Sequence, residues 1–423
     1  MARNLLWLPR GSFAVKKTPA RGEKPDSMPA ALVAQYPWWS LSDPVITFAL
    51  RLERLGLCPR IIGPRQLDFI ACRYPGEAVF GRVPVLWSAS AQEVPALLEQ
   101  ALCGLDCAPA APATQADAAP RVAVFFDEKS FLAGAQTAAR LGARTYFYST
   151  EIPDAGQFDP DALAQAFRVS RAQLVIQDAA RLRGYELATG CAFDDPVLLP
   201  NASLLDSCSP DLSLSASSST DADYGLEPVE IPGVGSSDAD WSRTLVLSGS
   251  IQTEHATLET VAAFLRCAKA SRPGWRLLVS GWGGAVLDAL RELARGRDEV
   301  IVNTDFLSGA QIRYVYSRCR AGVVSYYNGG YNHRHCGLAS GKLFWICRAG
   351  KPVLTNDNES IAALVRGHGL GFNLLEAQSL DALDSEGEAM GARARNFFEG
   401  QAAAMTATLD GMFARERGGE QSR

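Results

Sequence analysis

Short apolar runs separated by helical patterns constrain this chain more than any other feature. Val122-Ala123-Val124-Phe125-Phe126 is apolar without interruption. A strand covered on both faces of a parallel sheet reads this way, whereas a half-exposed strand alternates apolar and polar residues. Thr145–Tyr148, Leu174–Ile176 and Val197–Leu199 are further runs, with a helix at Ala179–Ala188 between the last two. Upstream, Asn4–Leu8, Arg60–Ile62 and Arg82–Trp87 read as strands, and Asp43–Leu55 and Gln92–Leu105 as helices. Ser42 or Asp43 can cap the first helix, Pro44 suits its opening turn and Gly56 can end it. The rhythm predicts an α/β protein with largely parallel sheets.

The rhythm breaks once. Leu204–Ser242 changes composition, and Ser213–Thr220 is nearly all serine with Ala, Leu and Thr. Such a stretch buries too little apolar area to order itself, so it reads as an interdomain linker. Strands at Thr244–Leu247, Arg276–Ser280, Glu299–Asn303, Ala321–Ser325 and Pro352–Leu354 follow, with helices at Leu258–Ala270, Ala285–Arg295, Ser308–Cys319 and Lys342–Ala349. A chain of 423 residues is long enough for two domains. The expected division is 1–203, a linker at 204–242, a second domain at 243–400 and a helical or frayed tail at 401–423. Two α/β halves put a cleft between them, a common place for a ligand.

Composition narrows the class. Apolar residues make up 47% and charged residues 21%, which excludes a disordered chain, a collagen-like fibre and a long coiled coil. A net charge of −5 supplies no global basic field for nucleic acid or anionic membrane. No apolar run approaches the ~18–20 residues that span a bilayer, and Leu5–Leu8 is too short for a signal-peptide core. A cytoplasmic protein is expected. Its ten cysteines are scattered without a Cys-x-x-Cys pair, so buried or indifferent thiols, rather than zinc ligands, are expected.

Several residues stand where chemistry is done. Ser340-Gly341-Lys342 is a loop feeding a helix start, where free N–H groups and the helix dipole favour phosphate, and Lys342 adds a full charge. A solvated surface lysine is the plain alternative. Asn332-His333-Arg334-His335 holds two of the four histidines; it is either a polar loop or a phosphate or acceptor contact. No carboxylate accompanies it, so no metal is expected. Gly281-Trp282-Gly283-Gly284 is not a dinucleotide fingerprint, although Trp282 could stack on a base. Asp127 and Glu128 follow one strand and Glu151 another. Carboxyl ends of parallel strands are where open sheets bind ligands, while an acid before a helix is also an ordinary cap. Tyr326, Tyr327 and Tyr331 can stack on sugars or pack a core.

The run Ser340-Gly341-Lys342-Leu343-Phe344-Trp345-Ile346-Cys347-Arg348-Ala349-Gly350-Lys351-Pro352-Val353 resembles the donor segment of GT-B glycosyltransferases, closest to the retaining family 4. Leu245–Ser250, Leu277–Gly283 and Tyr314–Ser325 follow that family's order in the second domain. Tyr146–Glu151, Ser170–Asp178 and Leu198–Ala202 follow it in the first. The resemblance covers about residues 120–375. It implies two Rossmann-like domains facing across a cleft. It also implies sugar transfer from a nucleotide-diphosphate donor to a small-molecule, glycan or lipid-linked acceptor, with retention of configuration and without metal or other cofactor. Donor contacts would be Gly249, Ser250, His255, Gly281, Ser340, Gly341, Lys342 and Trp345. Asp127 and Glu151 would orient the acceptor, with Asp127 the base if configuration inverts. Gly11, His333, Arg334 and His335 would touch acceptor or phosphate. No nucleic acid is expected, and contact with a membrane surface stays open.

The chain also departs from the pattern. Trp345 stands where the family has the glutamate that holds the donor ribose, and Gly337 where it has the partner acid. The basic pair that neutralises the diphosphate maps to about Ser250 and His255. An inactive GT-B-shaped binding or regulatory subunit is the alternative.

Overall fold

The computed structural model describes residues 28–36, 43–64, 78–79, 83–103, 121–154, 156–202, 226–284 and 286–414. The expected strand Asn4–Leu8, Gly11, the loop 106–120 and the serine stretch 213–220 lie outside the described residues.

Two parallel sheets carry the fold. The first contains β1 (Pro29–Val33), β2 (Cys58–Pro64), β3 (Ala78–Val79), β4 (Val83–Ser88), β5 (Arg121–Phe125), β6 (Ala143–Tyr148), β7 (Gln173–Ile176) and β8 (Val197–Leu198). Their order is β3-β4-β2-β1-β5-β6-β7-β8, and only β3 runs antiparallel to its neighbour among the described residues. The second contains β9 (Thr244–Ser248), β10 (Arg276–Ser280), β11 (Val300–Asn303), β12 (Ala321–Val324), β13 (Val353–Thr355) and β14 (Gly371–Asn373), in the order β11-β10-β9-β12-β13-β14. The apolar runs behave as their composition requires: Val122–Phe125 and Leu245–Leu247 are wholly or almost wholly buried.

Strand order reverses at two places. In the first sheet β1 lies between β2 and β5; in the second β9 lies between β10 and β12. Such switch points open a crevice beyond the carboxyl ends of the strands.

Described elements that the sequence reading does not assign include β1, β3, the helices Pro160–Ser170, Asp238–Trp241, Gly330–Arg334 and Glu359–Gly367, and β14. The helix Ala382–Ala414 runs unbroken through residues 400 and 401, where the tail was divided off. It leaves the second domain with Phe397 stacked on Phe344 and reaches the first, where Phe413 meets Phe48 and Tyr146 edge-on. There Tyr146 donates to the Met412 carbonyl at 3.0 Å, and Arg51 pairs with Asp410.

Candidate functional site

The switch point of the second sheet gathers most of the donor contacts expected from sequence. The chain leaves β9 through Gly249, at φ +115°, a backbone conformation that favours glycine. Gly281, leaving β10, approaches so closely that a Cβ there would lie 1.6 Å from the Gly249 carbonyl oxygen. The two turns are stitched by Gly249 N–H to Ser280 C=O at 3.0 Å and Ile251 N–H to Trp282 C=O at 3.1 Å. Glycine at both positions therefore permits the contact of two loops.

The helix Gly341–Arg348 starts beside them. Ser340 caps it, accepting from Leu343 N–H at 3.3 Å, and shares a 3.1 Å hydrogen bond with the Tyr326 hydroxyl. Space beside Gly341 is open: a Cβ there would meet nothing within 4 Å. The Lys342 side chain turns back toward the first loop, its Nζ 3.4 Å from where a Cβ on Gly249 would sit. That ammonium is buried and has no hydrogen-bond partner among the described residues. It lies 4.5 Å from the centre of the Tyr326 ring, whose face attracts a cation. Burial pushes its pKa down to about 8.

His255 completes this cluster as a neutral group. Its Nδ1 lies 2.5 Å from the Ser250 carbonyl oxygen, a contact that needs an N–H at Nδ1. The ring stands edge-on to Tyr326 at 5.4 Å. Burial, and then the Lys342 ammonium, push its pKa down to about 3. His255 is therefore not itself a cation near neutral pH. Trp345, one helical turn beyond Lys342, is partly buried and packs against the core cluster.

The acids of the first sheet are placed differently. Asp127 caps the helix Glu128–Arg140, accepting Ser130 N–H at 2.8 Å on one oxygen and Gln35 N–H at 2.7 Å on the other. Gln35 in turn donates to Ser88 at 2.7 Å. These are the contacts of an ordinary helix cap. Its neighbour Glu128 is buried, with the Tyr185 hydroxyl at 3.3 Å, and burial pushes its pKa up to about 7. The Glu151 carboxylate accepts from the Asn332 side chain.

The polar run 332–335 divides. Asn332 faces the first domain. His333 lies near Tyr326, with ring centres 6.3 Å apart. Exposed Arg334 donates to the Asn328 carbonyl at 3.2 Å, and His335 stacks on Tyr331. Sequence reasoning missed Arg181. This buried guanidinium donates to the Asn332 carbonyl at 3.2 Å, the Asn332 amide oxygen at 3.0 Å and the Thr150 carbonyl at 3.2 Å. Nothing in the run Ala179–Thr189 announces it, because the partners lie elsewhere in the chain.

Among the described residues no helix is long and apolar enough to cross a membrane, and no three His, Cys, Asp or Glu residues are grouped to hold a metal ion.

No protein-family model matches the chain, and no curated protein matches its sequence. Solved structures do match in shape. HepE from Anabaena, solved with UDP and glucose, aligns at 11% identity and a TM-score of 0.58 over 92% of this chain and 100% of its own. A glycosyltransferase from Rickettsia africae aligns at 10% identity and 0.59, over 94% and 100%. WaaG, a glycosyltransferase of lipopolysaccharide biosynthesis, aligns at 14% identity and 0.54, over 92% and 100%. With its two parallel sheets and their strand order, the chain has the GT-B fold of these glycosyltransferases.

Proposed function

We propose that this protein is a glycosyltransferase taking a sugar from a nucleoside-diphosphate donor held by the second domain, 243–400. The observation that carries the reading is the buried Lys342 ammonium without a hydrogen-bond partner among the described residues. An uncompensated buried charge is costly, and an anion is what would compensate it. The open helix start at Gly341 offers backbone N–H groups beside it.

Breaking the anomeric C–O bond leaves negative charge on the diphosphate. Lys342 and the helix start would stabilise that charge as it develops. In the retaining reading the leaving phosphate takes the acceptor proton, no dedicated base is needed, and no metal or other cofactor takes part. This agrees with the capping role of Asp127. Glu128 becomes the first-domain acid best suited to orient an acceptor hydroxyl, since it is buried with a single side-chain hydrogen bond. The solved complex of HepE with UDP-glucose makes a uridine donor the first to try. In this reading the acceptor is a small molecule, or a glycan or lipid-linked hydroxyl reached from a membrane surface, and the enzyme works in the cytoplasm.

Calorimetric titration with UDP, GDP and TDP, with hydrolysis of the matching sugar nucleotides, tests this. Binding of one nucleotide with slow release of its sugar supports the enzyme. Binding without turnover supports the regulatory subunit to which Trp345 and the missing basic pair point. Failure of all three to bind overturns the donor reading.

A further inference from the structure

The segment from Tyr331 to Ala339 leads directly into the helix that carries Lys342, and the first domain holds it at both ends. At one end Asn332 reaches across. Its amide oxygen accepts Ile152 N–H at 3.2 Å and the Arg181 guanidinium at 3.0 Å, and its amide N–H donates to Glu151. Its carbonyl accepts a second Arg181 N–H at 3.2 Å. At the other end Asn201 donates through its backbone N–H to Leu338 C=O at 2.7 Å and through its side chain to Ala339 C=O at 3.0 Å.

The segment is also fixed within its own domain. Asn358 donates to His333 C=O at 2.9 Å, and Gly337 N–H donates to the Ser360 hydroxyl at 3.0 Å. Asn358 itself caps the helix Glu359–Gly367. The residue after the segment is Ser340, bonded to Tyr326, whose ring faces the Lys342 ammonium. A continuous set of contacts thus runs from Arg181 and Glu151 in the first domain to the one cation of the donor cluster in the second. Its cross-domain bonds depend on the two domains being together.

We propose that Asn332 is a positioning residue for the donor site: its bonds to the first domain set the 331–339 segment, and through it Ser340, Tyr326 and Lys342. Domain approach would then tighten the donor's diphosphate contact, although Asn332 does not touch the donor. A distant contact acts this way only if its loss is felt at the group it positions, which a double-mutant cycle measures. The proposal rests on the donor reading above.

The experiment is calorimetric titration of UDP, or whichever diphosphate the full-length protein binds, into wild type, Asn332→Ala, Lys342→Ala and the double variant. Asn332→Ala is expected to weaken binding about tenfold in the wild-type background and less than about twofold where Lys342 is already gone. A purely structural tie between domains would lower the unfolding temperature and leave the two effects additive. Asn201→Ala removes the side-chain bond at the other end and should couple to Lys342→Ala with the same sign. It carries the test if Asn332→Ala does not fold. Additive effects, or unchanged affinity in both single variants of the segment, overturn the proposal while leaving the donor reading intact. Absence of diphosphate binding to wild type overturns the donor reading, and the proposal with it.

Discussion

The two switch points are built alike and finished differently. In the first sheet the crevice between β1 and β5 is stitched by the protein's own groups: Gln35 N–H and Ser130 N–H take the Asp127 oxygens, and Ser88 takes the Gln35 side chain. In the second sheet the crevice between β9 and β12 keeps a buried ammonium with no hydrogen-bond partner among the described residues, beside an open helix start. A satisfied carboxylate maintains structure; an unsatisfied buried cation implies a ligand. Under the donor reading proposed above, the second crevice is the one left to take an anion, while Asp127 in the first is already satisfied.

Replacing Lys342 is the strongest way to break this comparison. Lys342→Ala removes one charge-assisted contact worth ~1.5–3 kcal/mol and should weaken nucleoside-diphosphate binding roughly 10- to 150-fold by calorimetry. Unchanged affinity would take Lys342 out of the site.

pH sharpens the same point. With the Lys342 pKa pushed down to about 8, diphosphate affinity should fall roughly tenfold per unit as pH rises beyond it. The unfolded lysine titrates near its ordinary value, so between the two pKa values the unfolded chain binds more protons than the native one. The ligand-free protein should therefore gain stability over the range in which it loses donor affinity. Below that range His255, pushed down to about 3, should add no limb between pH 5.5 and 7.5. A histidine-like rise in affinity across that window in wild type, lost in His255→Gln, would show a second cation.

Asp127 tests the other crevice. Asp127→Ala removes a helix cap and should cost ~0.5–2 kcal/mol in chemical unfolding, with sugar-nucleotide hydrolysis per folded molecule retained. Loss of turnover without loss of stability would return Asp127 to catalysis.

The smallest effect concerns Trp345. An indole has few polar groups to leave unpaired, so ribo and 2′-deoxy forms of the bound nucleotide diphosphate should bind within about tenfold of each other. A much stronger ribo preference, unchanged in Trp345→Phe, would mean that another residue reads the ribose.

These tests fall unevenly on what the sequence made legible. Continuous apolar runs located the inner strands because burial on both faces leaves a local signature. β1 escaped because Pro29-Ala30-Ala31-Leu32-Val33 is short and half small residues, and β14 because Gly371–Asn373 is three residues long. Lys342 was legible because a helix start, a cation and glycine loops all lie close in the chain. Glu128 and the run holding Asn332 were singled out, but their contacts and Arg181 were not legible, because these are set by partners from 31 to 181 positions away. The sequence singled out the run Asn332–His335 for its ring nitrogens, whereas its amide makes the contacts across the cleft.

The long helix Ala382–Ala414 bears on how such a cleft can move. The described chain leaves the first domain at Ala202 and resumes in the second at Leu226, and it joins the two again along this helix, which is anchored at Phe344 in one domain and at Phe48 and Tyr146 in the other. Two covalent links restrain swivelling about a single thread, as two pins restrain a door, and leave hinge rotation as the expected motion. That rotation would carry Asn201 and Arg181 along fixed arcs relative to the segment 331–339, so each closure would bring the same donors back to the same carbonyls.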